Sequence, residues 1–195
     1  MISVIIPLMP IEPYKTMCGT AITALKKQTA NCEIIVSEQP IEKHINKGKL
    51  LNKGFKKASG EIIWFCDADF VPEPTLLERM EKYLIKHNMD VVYPMFHSKY
   101  YDCLKLADGG SFVKHNVFKE FGGFDEEHLG ISWVTFPFLN WCLNNCNFHC
   151  SDKFVVDIAE SKQRVANKRH WKTSGKLRNL YKETVRELQY MGVWP

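Results

Sequence analysis

The chain has 195 residues, 45% of them hydrophobic and 25% charged, a composition typical of one globular domain with an apolar core. Its 26 Lys and Arg residues against 22 Asp and Glu residues give a formal net charge of +4, an excess that suits a small phosphate-bearing ligand as readily as a polyanion. The apolar start, residues 1–7, is far shorter than the ~20 residues of a membrane span and lacks the features of a signal peptide.

The first half of the chain alternates apolar runs with amphipathic stretches, a pattern typical of βαβ units and a mostly parallel sheet. The predicted strands cover residues 3–6, 33–36, 62–66 and 91–93. The predicted helices cover residues 14–27, 47–57 and 73–86. We therefore expect an α/β fold with helices on both faces of a mixed, mostly parallel central sheet.

Beyond Pro94 the predicted elements become shorter, and the loops are rich in glycine and aromatic residues. A last helix is predicted within residues 174–191, because Leu177, Leu180, Tyr181, Val185 and Leu188 form one helical stripe. This stripe leaves self-association, or docking to another domain, open.

Two acidic residues directly follow the third predicted strand: Asp67 and Asp69, separated by Ala68. Ligands in open α/β sheets lie beyond the carboxyl ends of the strands, where these acids fall. Carboxylates bind hard ions such as Mg²⁺ and Mn²⁺, whose coordination phosphate oxygens and water complete. The sequence therefore predicts a metal site beside a diphosphate. In the alternative interpretation the two acids only end the strand and cap the turn before Pro72.

Seven short motifs occur in a characteristic order. They are SVIIP at 3–7, EIIV at 33–36, KLLNKGF at 49–55, ASGE at 58–61, DAD at 67–69, GG at 109–110 and FGGFDE at 121–126. In this order they resemble the GT-A superfamily, particularly family 2 glycosyltransferases, with a local resemblance to β-1,4-galactosyltransferases. The resemblance implies a Rossmann-like GT-A fold. It also implies an inverting, metal-dependent enzyme that moves a sugar from a nucleotide diphosphate donor, by default UDP, to a hydroxyl of a glycan or other acceptor.

The resemblance divides the single domain 1–195 into a nucleotide-sugar-binding half, 1–95, an acceptor-side half, 96–170, and a C-terminal helix, 171–195. It places Pro7 at the nucleobase pocket and Glu38 where relatives carry an aspartate that faces the base. The implied donor-binding residues are Pro7, Glu38, Lys49, Asn52, Asp67, Ala68, Gly109, Gly110, Lys168 and Arg169. A solvated helix face is the alternative for Lys49.

In the family the last acid of the Asp-x-Asp motif binds the metal directly, which implies Asp69 as ligand with Asp67 in support. Many relatives add a third ligand, often His, from a C-terminal loop that closes over the diphosphate. His170 is the candidate here, and Lys168 and Arg169 suit the same phosphates. A surface role is the alternative for His170.

The chain departs from the family where the catalytic base is expected. Inverting relatives carry a Glu-Asp pair, whereas residues 130–135 read GISWVT. Three interpretations stay open: Asp125 is the base, Asp108 is the base, or the reaction retains anomeric configuration and needs no base there. Of the nearby aromatic residues, Trp133 is the candidate platform for an acceptor sugar.

The sequence also bears on four rival interpretations. Cys142, Cys146, His149 and Cys150 are chemically suitable for zinc, but the spacing fits three cysteines on one apolar helix face better. Sugar nucleotidyltransferases resemble one another in a glycine-rich loop after the first strand. That class is disfavoured here, because residues 8–13 contain no glycine. A GT-A domain that binds donor without turnover stays open. No nucleic-acid module occurs.

The odd number of cysteines and the missing Asn-x-Ser/Thr acceptor favour the cytoplasm.

Overall fold

The computed structural model describes residues 1–40, 45–98, 103–107, 109–127, 134–159 and 175–191. In these ranges the strands are β1 (Ile2–Leu8), β2 (Cys32–Glu38), β3 (Ile62–Phe65), β4 (Phe70–Pro72), β5 (Val91–Ser98), β6 (Cys103–Leu106), β7 (Phe112–Lys114) and β8 (Phe148–Ile158). The helices are α1 (Tyr14–Leu25), α2 (Lys47–Phe55), α3 (Leu76–Lys86), α4 (His115–Phe121), α5 (Phe136–Asn145) and α6 (Gly175–Tyr190).

The described strands form one mixed sheet in the order β2-β1-β3-β7-β5-β8-β4, with β6 paired to β5. Strand β1 is parallel to both β2 and β3, so the expected parallel arrangement holds for the first three strands. Strand β7 is antiparallel to β3 and to β5, and β8 is parallel to β5 but antiparallel to β4. The sheet is therefore mixed, as expected, but four of its seven described strand pairings are antiparallel.

Helices cover both faces of the sheet, which confirms the predicted α/β class. All seven residues of β1 are buried, and six of them are apolar, as is typical of a central strand covered on both faces. The even residues of β1 share a core with α1 and α3. The odd residue Ile5 lies in the other core with α2, α4, α5 and α6. The two cores follow from the period of two along a strand.

Local sequence explains where two of the helices lie. Asn46 caps α2, since its side-chain Oδ1 accepts the N–H of Lys49 at 2.9 Å. Helix α4 ends at Gly122, whose φ of 90° is in the left-handed region that favours glycine. Helix α3 begins at Leu76, three residues later than predicted. Its buried stripe consists of Leu76, Leu77, Met80 and Leu84.

The C-terminal cysteines do not share one helix face, and this interpretation was wrong. Helix α5 carries the buried Cys142 and ends at the cap residue Cys146, whereas Cys150 belongs to β8. His149 and Cys150 are successive strand residues and point to opposite faces. His149 packs on Tyr83, in the α3 core, while Cys150 packs against the α5 core.

Helix α6 packs against α5 and buries Thr184 and Leu188 completely. The described part of the predicted stripe therefore packs within the chain, and self-association through it is not supported. None of the described helices has both the length and the apolar character that crossing a membrane requires.

Candidate active site

The topology brings four segments to one edge of the sheet. Because β1, β2 and β3 are parallel, their carboxyl ends lie together, at Leu8, Glu38 and Phe65. Strand β7 is antiparallel to β3, so the turn that precedes β7 arrives at the same edge. Helix α2 follows β2 and begins there with Lys47. This edge is where a doubly wound sheet binds its ligands.

The Asp67 carboxylate is confined between a lysine and a glycine. Its Oδ1 atom lies 2.5 Å from the Nζ atom of Lys47, and the two side chains are 27% and 4% exposed. On another side of the carboxylate, a Cβ atom added to Gly109 would overlap the Oδ1, Oδ2 and Cγ atoms of Asp67. The carboxylate therefore has a charged partner and a backbone that leaves room for it only because residue 109 has no side chain.

The turn that contains Gly109 and Gly110 is fixed to β3. The indole Nε1 of Trp64 donates to the carbonyl oxygen of Gly110 at 3.0 Å, and the amide of Phe65 donates to the carbonyl oxygen of Ser111 at 3.0 Å. Trp64 is fully buried. The position of the turn relative to Asp67 is therefore set by the core.

Asp69 is nearly buried, with 7% of its surface exposed. Its carbonyl oxygen accepts the amide of Ala159 at 2.7 Å, which continues the pairing of β4 with β8. The end of β8 therefore lies beside the second acid of the Asp-x-Asp motif.

Two buried thiols interact with carboxylates at this edge of the sheet: Cys66 with Asp67 and Asp69, and Cys18 with Glu38. Burial raises the pKa of Cys66 well above its usual value, and the charges of Asp67 and Asp69 raise it further. Burial raises the pKa of Cys18 to about 11, with a further contribution from Glu38. Both thiols therefore stay protonated at neutral pH, so these two cysteines contribute no thiolate to this edge, where Asp67, Asp69 and Glu38 contribute carboxylates.

Asn52 holds the FGGFDE loop to α2. Its Oδ1 accepts the amide of Phe124, and its Nδ2 donates to the carbonyl oxygen of Phe124 and to Oε1 of Glu126, each at 2.9 Å. Gly123, with φ of 102°, passes close to the Asn52 amide. The side chain predicted to lie beside the nucleotide is thus committed to the loop that carries Asp125.

Asp125 forms a local turn, since its Oδ1 accepts the amide of Glu127 at 2.8 Å. Its carbonyl oxygen packs against Gly48, where an added Cβ would overlap it. Asn46 donates through Nδ2 to the carbonyl oxygen of Glu126 at 2.6 Å. The start of α2 therefore contacts both Asp67 and the Asp125 loop.

The remaining described candidates line the same edge. Pro7 is buried on β1 opposite Ser37, and Glu38 is exposed at the end of β2. Lys49 is exposed on α2. Five candidates lie outside the described residues: Asp108, Trp133, Lys168, Arg169 and His170.

Within the described ranges, no three or more His, Cys, Asp or Glu side chains are close enough together to hold a metal ion. The zinc set is divided between the two faces of the sheet: Tyr83 Oη lies 3.2 Å from Nδ1 of His149, on the face opposite to Cys150. Asp67 and Asp69 fit a hard divalent ion in ligand chemistry, because such ions need only one or two protein carboxylates when phosphate oxygens and water complete the coordination.

Lys47 is the site residue that the sequence interpretation missed. Its signal is its spacing from Leu50, Leu51 and Gly54, which places a lysine on the buried face of α2. A cation in the first turn of a helix is also electrostatically unfavourable unless an anion lies near it.

Comparison with known proteins gives two kinds of similarity. The family model for glycosyl transferase family 2 matches residues 39–135, about half of the chain. The chain is 27% identical over 169 residues to β-1,4-galactosyltransferase 4 of Mus musculus, an alignment that covers 77% of this chain and 49% of that protein. The chain thus spans about half the length of the mouse relative.

Two solved structures share the fold. A mutant of Drosophila β-1,4-galactosyltransferase 7, in complex with manganese, UDP-Gal and xylobiose, superposes with a TM-score of 0.66 at 18% identity, over 92% of this chain and 78% of that chain. The mannosyltransferase PcManGT of Pyrobaculum calidifontis, in complex with GDP-Man and Mn²⁺, gives a TM-score of 0.65 at 15% identity, over 96% and 70% of the two chains.

Proposed function

Because the chain is a glycosyltransferase domain of the GT-A fold that resembles family 2, we propose that it transfers a sugar from a nucleotide diphosphate donor to an acceptor hydroxyl with the help of Mn²⁺ or Mg²⁺. The observation that carries the proposal is the pair Asp67 and Asp69 at the carboxyl end of β3, with Lys47 2.5 Å from Asp67. Carboxylates and a buried ammonium together suit a metal-bound diphosphate.

Asp69 is proposed as the direct metal ligand, with Asp67 in support and His170 as a third ligand. The metal, when bound, neutralises charge on the departing diphosphate. Lys168 and Arg169 are proposed to contact the same phosphates from a loop that excludes water when donor is bound.

The nucleotide is proposed to lie along the ends of β1 and β2, between Pro7 and Glu38, with Lys49 and Asn52 nearby. Ala68, Gly109 and Gly110 would border its sugar and diphosphate. UDP is the default nucleotide and GDP is the second candidate, because one structural relative is bound to UDP-Gal and another to GDP-Man. Replacing Glu38 should change the preference between them.

Direct displacement at the anomeric carbon, with inversion, is the proposed course. Asp125 is the preferred base and Asp108 the second candidate, since either would have to lie within hydrogen-bond reach of the acceptor hydroxyl. Trp133 is the proposed platform for an acceptor sugar, and the xylobiose bound to the Drosophila relative supports a glycan acceptor. A retaining reaction and donor binding without turnover are the alternatives. The cytoplasmic location stays a prediction.

The test combines nucleotide binding with turnover. The purified chain would be titrated with UDP, GDP and their hexose conjugates in Mn²⁺, Mg²⁺ or EDTA, with calorimetry for binding and released nucleotide for turnover. We expect one donor class to bind in a metal-dependent manner and Asp69→Asn to remove that binding while the variant stays folded by circular dichroism.

The matched control is Asp152→Asn, which changes an exposed carboxylate on β8 outside the stretch Val156–Ile158 that pairs with β4. Metal-dependent binding without nucleotide release in the presence of acceptor glycans would favour the non-catalytic alternative. Nucleotide affinities that EDTA does not change would refute the metal site.

A further inference from the structure

Lys47 is a nearly buried cation whose charge must be balanced in every state of the site. Its side chain is 4% exposed, and its Nζ atom lies 2.5 Å from Oδ1 of Asp67. Removing an ammonium ion from water is costly unless an anion compensates it. Lys47 and Asp67 therefore compensate each other's charge.

A divalent ion at the Asp-x-Asp motif would compete for this arrangement. With Asp69 as its direct ligand, the ion would also draw on the supporting charge of Asp67, which is confined by Gly109 on one side and paired with Lys47 on another. Two cations that share one confined carboxylate repel each other, and the repulsion is strong where little water screens it. The affinity for a metal ion that binds by itself would therefore be lowered, because binding weakens the ion pair between Lys47 and Asp67.

A diphosphate changes this balance. It brings negative charge to the carboxyl edge together with the metal, and an ammonium is a good partner for phosphate oxygens. Lys47 begins α2 at this edge, so its ammonium is within the region that the proposed diphosphate would enter. The anion would compensate Lys47 while Asp67 supports the metal.

We propose that Lys47 is a positioning residue that exchanges Asp67 for the donor diphosphate, so that the metal ion binds weakly alone and tightly with the donor. The inference rests on the proposed donor and metal sites and adds an energetic coupling between them. By linkage, the donor strengthens metal binding by the same factor as the metal strengthens donor binding. Couplings of this kind are typically about 5-fold to 150-fold.

The experiment measures Mn²⁺ and UDP binding to the full chain, separately and together. Free Mn²⁺ is followed by electron paramagnetic resonance without nucleotide, and UDP affinity is measured by calorimetry with and without Mn²⁺; GDP replaces UDP if UDP does not bind. The variants are Lys47→Met, which removes the charge at similar length, and Lys47→Arg, which keeps it. Lys56→Met, at the exposed C-cap of α2, is the matched control.

We expect opposite changes in the two affinities. Lys47→Met should bind Mn²⁺ alone at least about 5-fold more tightly than wild type, bind UDP more weakly, and lose most of the coupling, which should be about 5-fold or more in wild type. Lys47→Arg should retain the coupling, and Lys56→Met should match wild type. A merely structural role of Lys47 would weaken both affinities together.

The outcomes separate this inference from the function on which it rests. If wild type binds the nucleotide in a metal-dependent manner but Lys47→Met binds Mn²⁺ alone no more tightly, the exchange is refuted and the proposed function stands. If wild type binds no nucleotide with or without Mn²⁺, both fail. Should Lys47→Met not fold, Lys47→Gln replaces it, and a wild type without coupling is by itself sufficient to overturn the inference.

Discussion

Replacing Gly109 by alanine tests whether the Asp67 carboxylate is held between two neighbours. The added Cβ would overlap three atoms of that carboxylate, so either the carboxylate or the turn must move. The carboxylate is held by Lys47 at 2.5 Å, and the turn is held through the Trp64 indole. Either movement should therefore lower the free energy of unfolding.

The cost can be bounded from these contacts. Inserting a methyl group into a filled space costs about 1–3 kcal/mol of unfolding free energy. If Asp67 moves away from Lys47, whose side chain is 4% exposed, the loss of the ion pair brings the cost toward the upper end of that range. For a chain of this size 1 kcal/mol corresponds to about 2–4 °C, so Gly109→Ala should melt about 2–12 °C below wild type.

The assay is thermal unfolding in EDTA, followed by urea unfolding to obtain the free energy directly. Gly19→Ala is the control, because a Cβ at that position in α1 meets nothing within 4 Å and should stabilise the helix by about 0.5–1 kcal/mol. Metal-dependent nucleotide binding should weaken in Gly109→Ala alone. If Gly109→Ala has the melting temperature and the nucleotide affinity of wild type, the Asp67 carboxylate is not confined.

Three other substitutions test the positions of single side chains. Asn52→Asp removes two donated hydrogen bonds and should lower the unfolding free energy in urea by about 1–3 kcal/mol; an unchanged value would refute the clamp on Phe124. Hydrogen bonds, chiefly from Ser3, hold the pKa of Glu33 below its ordinary 4.5, so its carboxylate contributes stability above that pH and loses it as pH falls. The stability difference between wild type and Glu33→Gln should therefore shrink on acidification, and a constant difference would contradict the linkage. Asp125→Asn keeps the acceptor for the local turn but removes a base, so turnover should fall about 10²-fold to 10⁴-fold with little change in melting temperature, whereas unchanged turnover would exclude Asp125 as the base.

The sequence predicts the first half of the fold well because its signals are local. Apolar runs and amphipathic stretches identify β1, β2, β3 and β5 and the helices between them, with boundaries that differ by a few residues. The insertion of β7 between β3 and β5 has no local signal, because strand pairing depends on residues far apart in the chain. The cysteine stretch was misinterpreted because a spacing of four residues says nothing about where α5 ends.

The site was predicted unevenly for the same reason. Asp67 and Asp69 follow a strand, and the position of an acid after a strand can be read from the sequence. Lys47 lies in a lysine-rich segment, in which only the spacing to buried residues distinguishes a buried lysine from exposed ones. Asn52 was expected beside a nucleotide, but its contacts to Phe124 depend on a loop 72 residues later in the chain.

Helix α2 links the two sides of the proposed reaction. Within its first two turns and its cap it contacts Asp67 through Lys47 and packs Gly48 against the carbonyl oxygen of Asp125. It also holds the residues on either side of Asp125, since Asn52 bonds Phe124 and both Asn46 and Asn52 bond Glu126. The separation between Asp67 and the proposed base, Asp125, is therefore set by a regular helix, because both residues contact the backbone or side chains of α2. Since a displacement of one helical turn moves the next, we expect a backbone shift at Lys47 to shift Asp125 as well. Donor binding should therefore affect both sides of the site together.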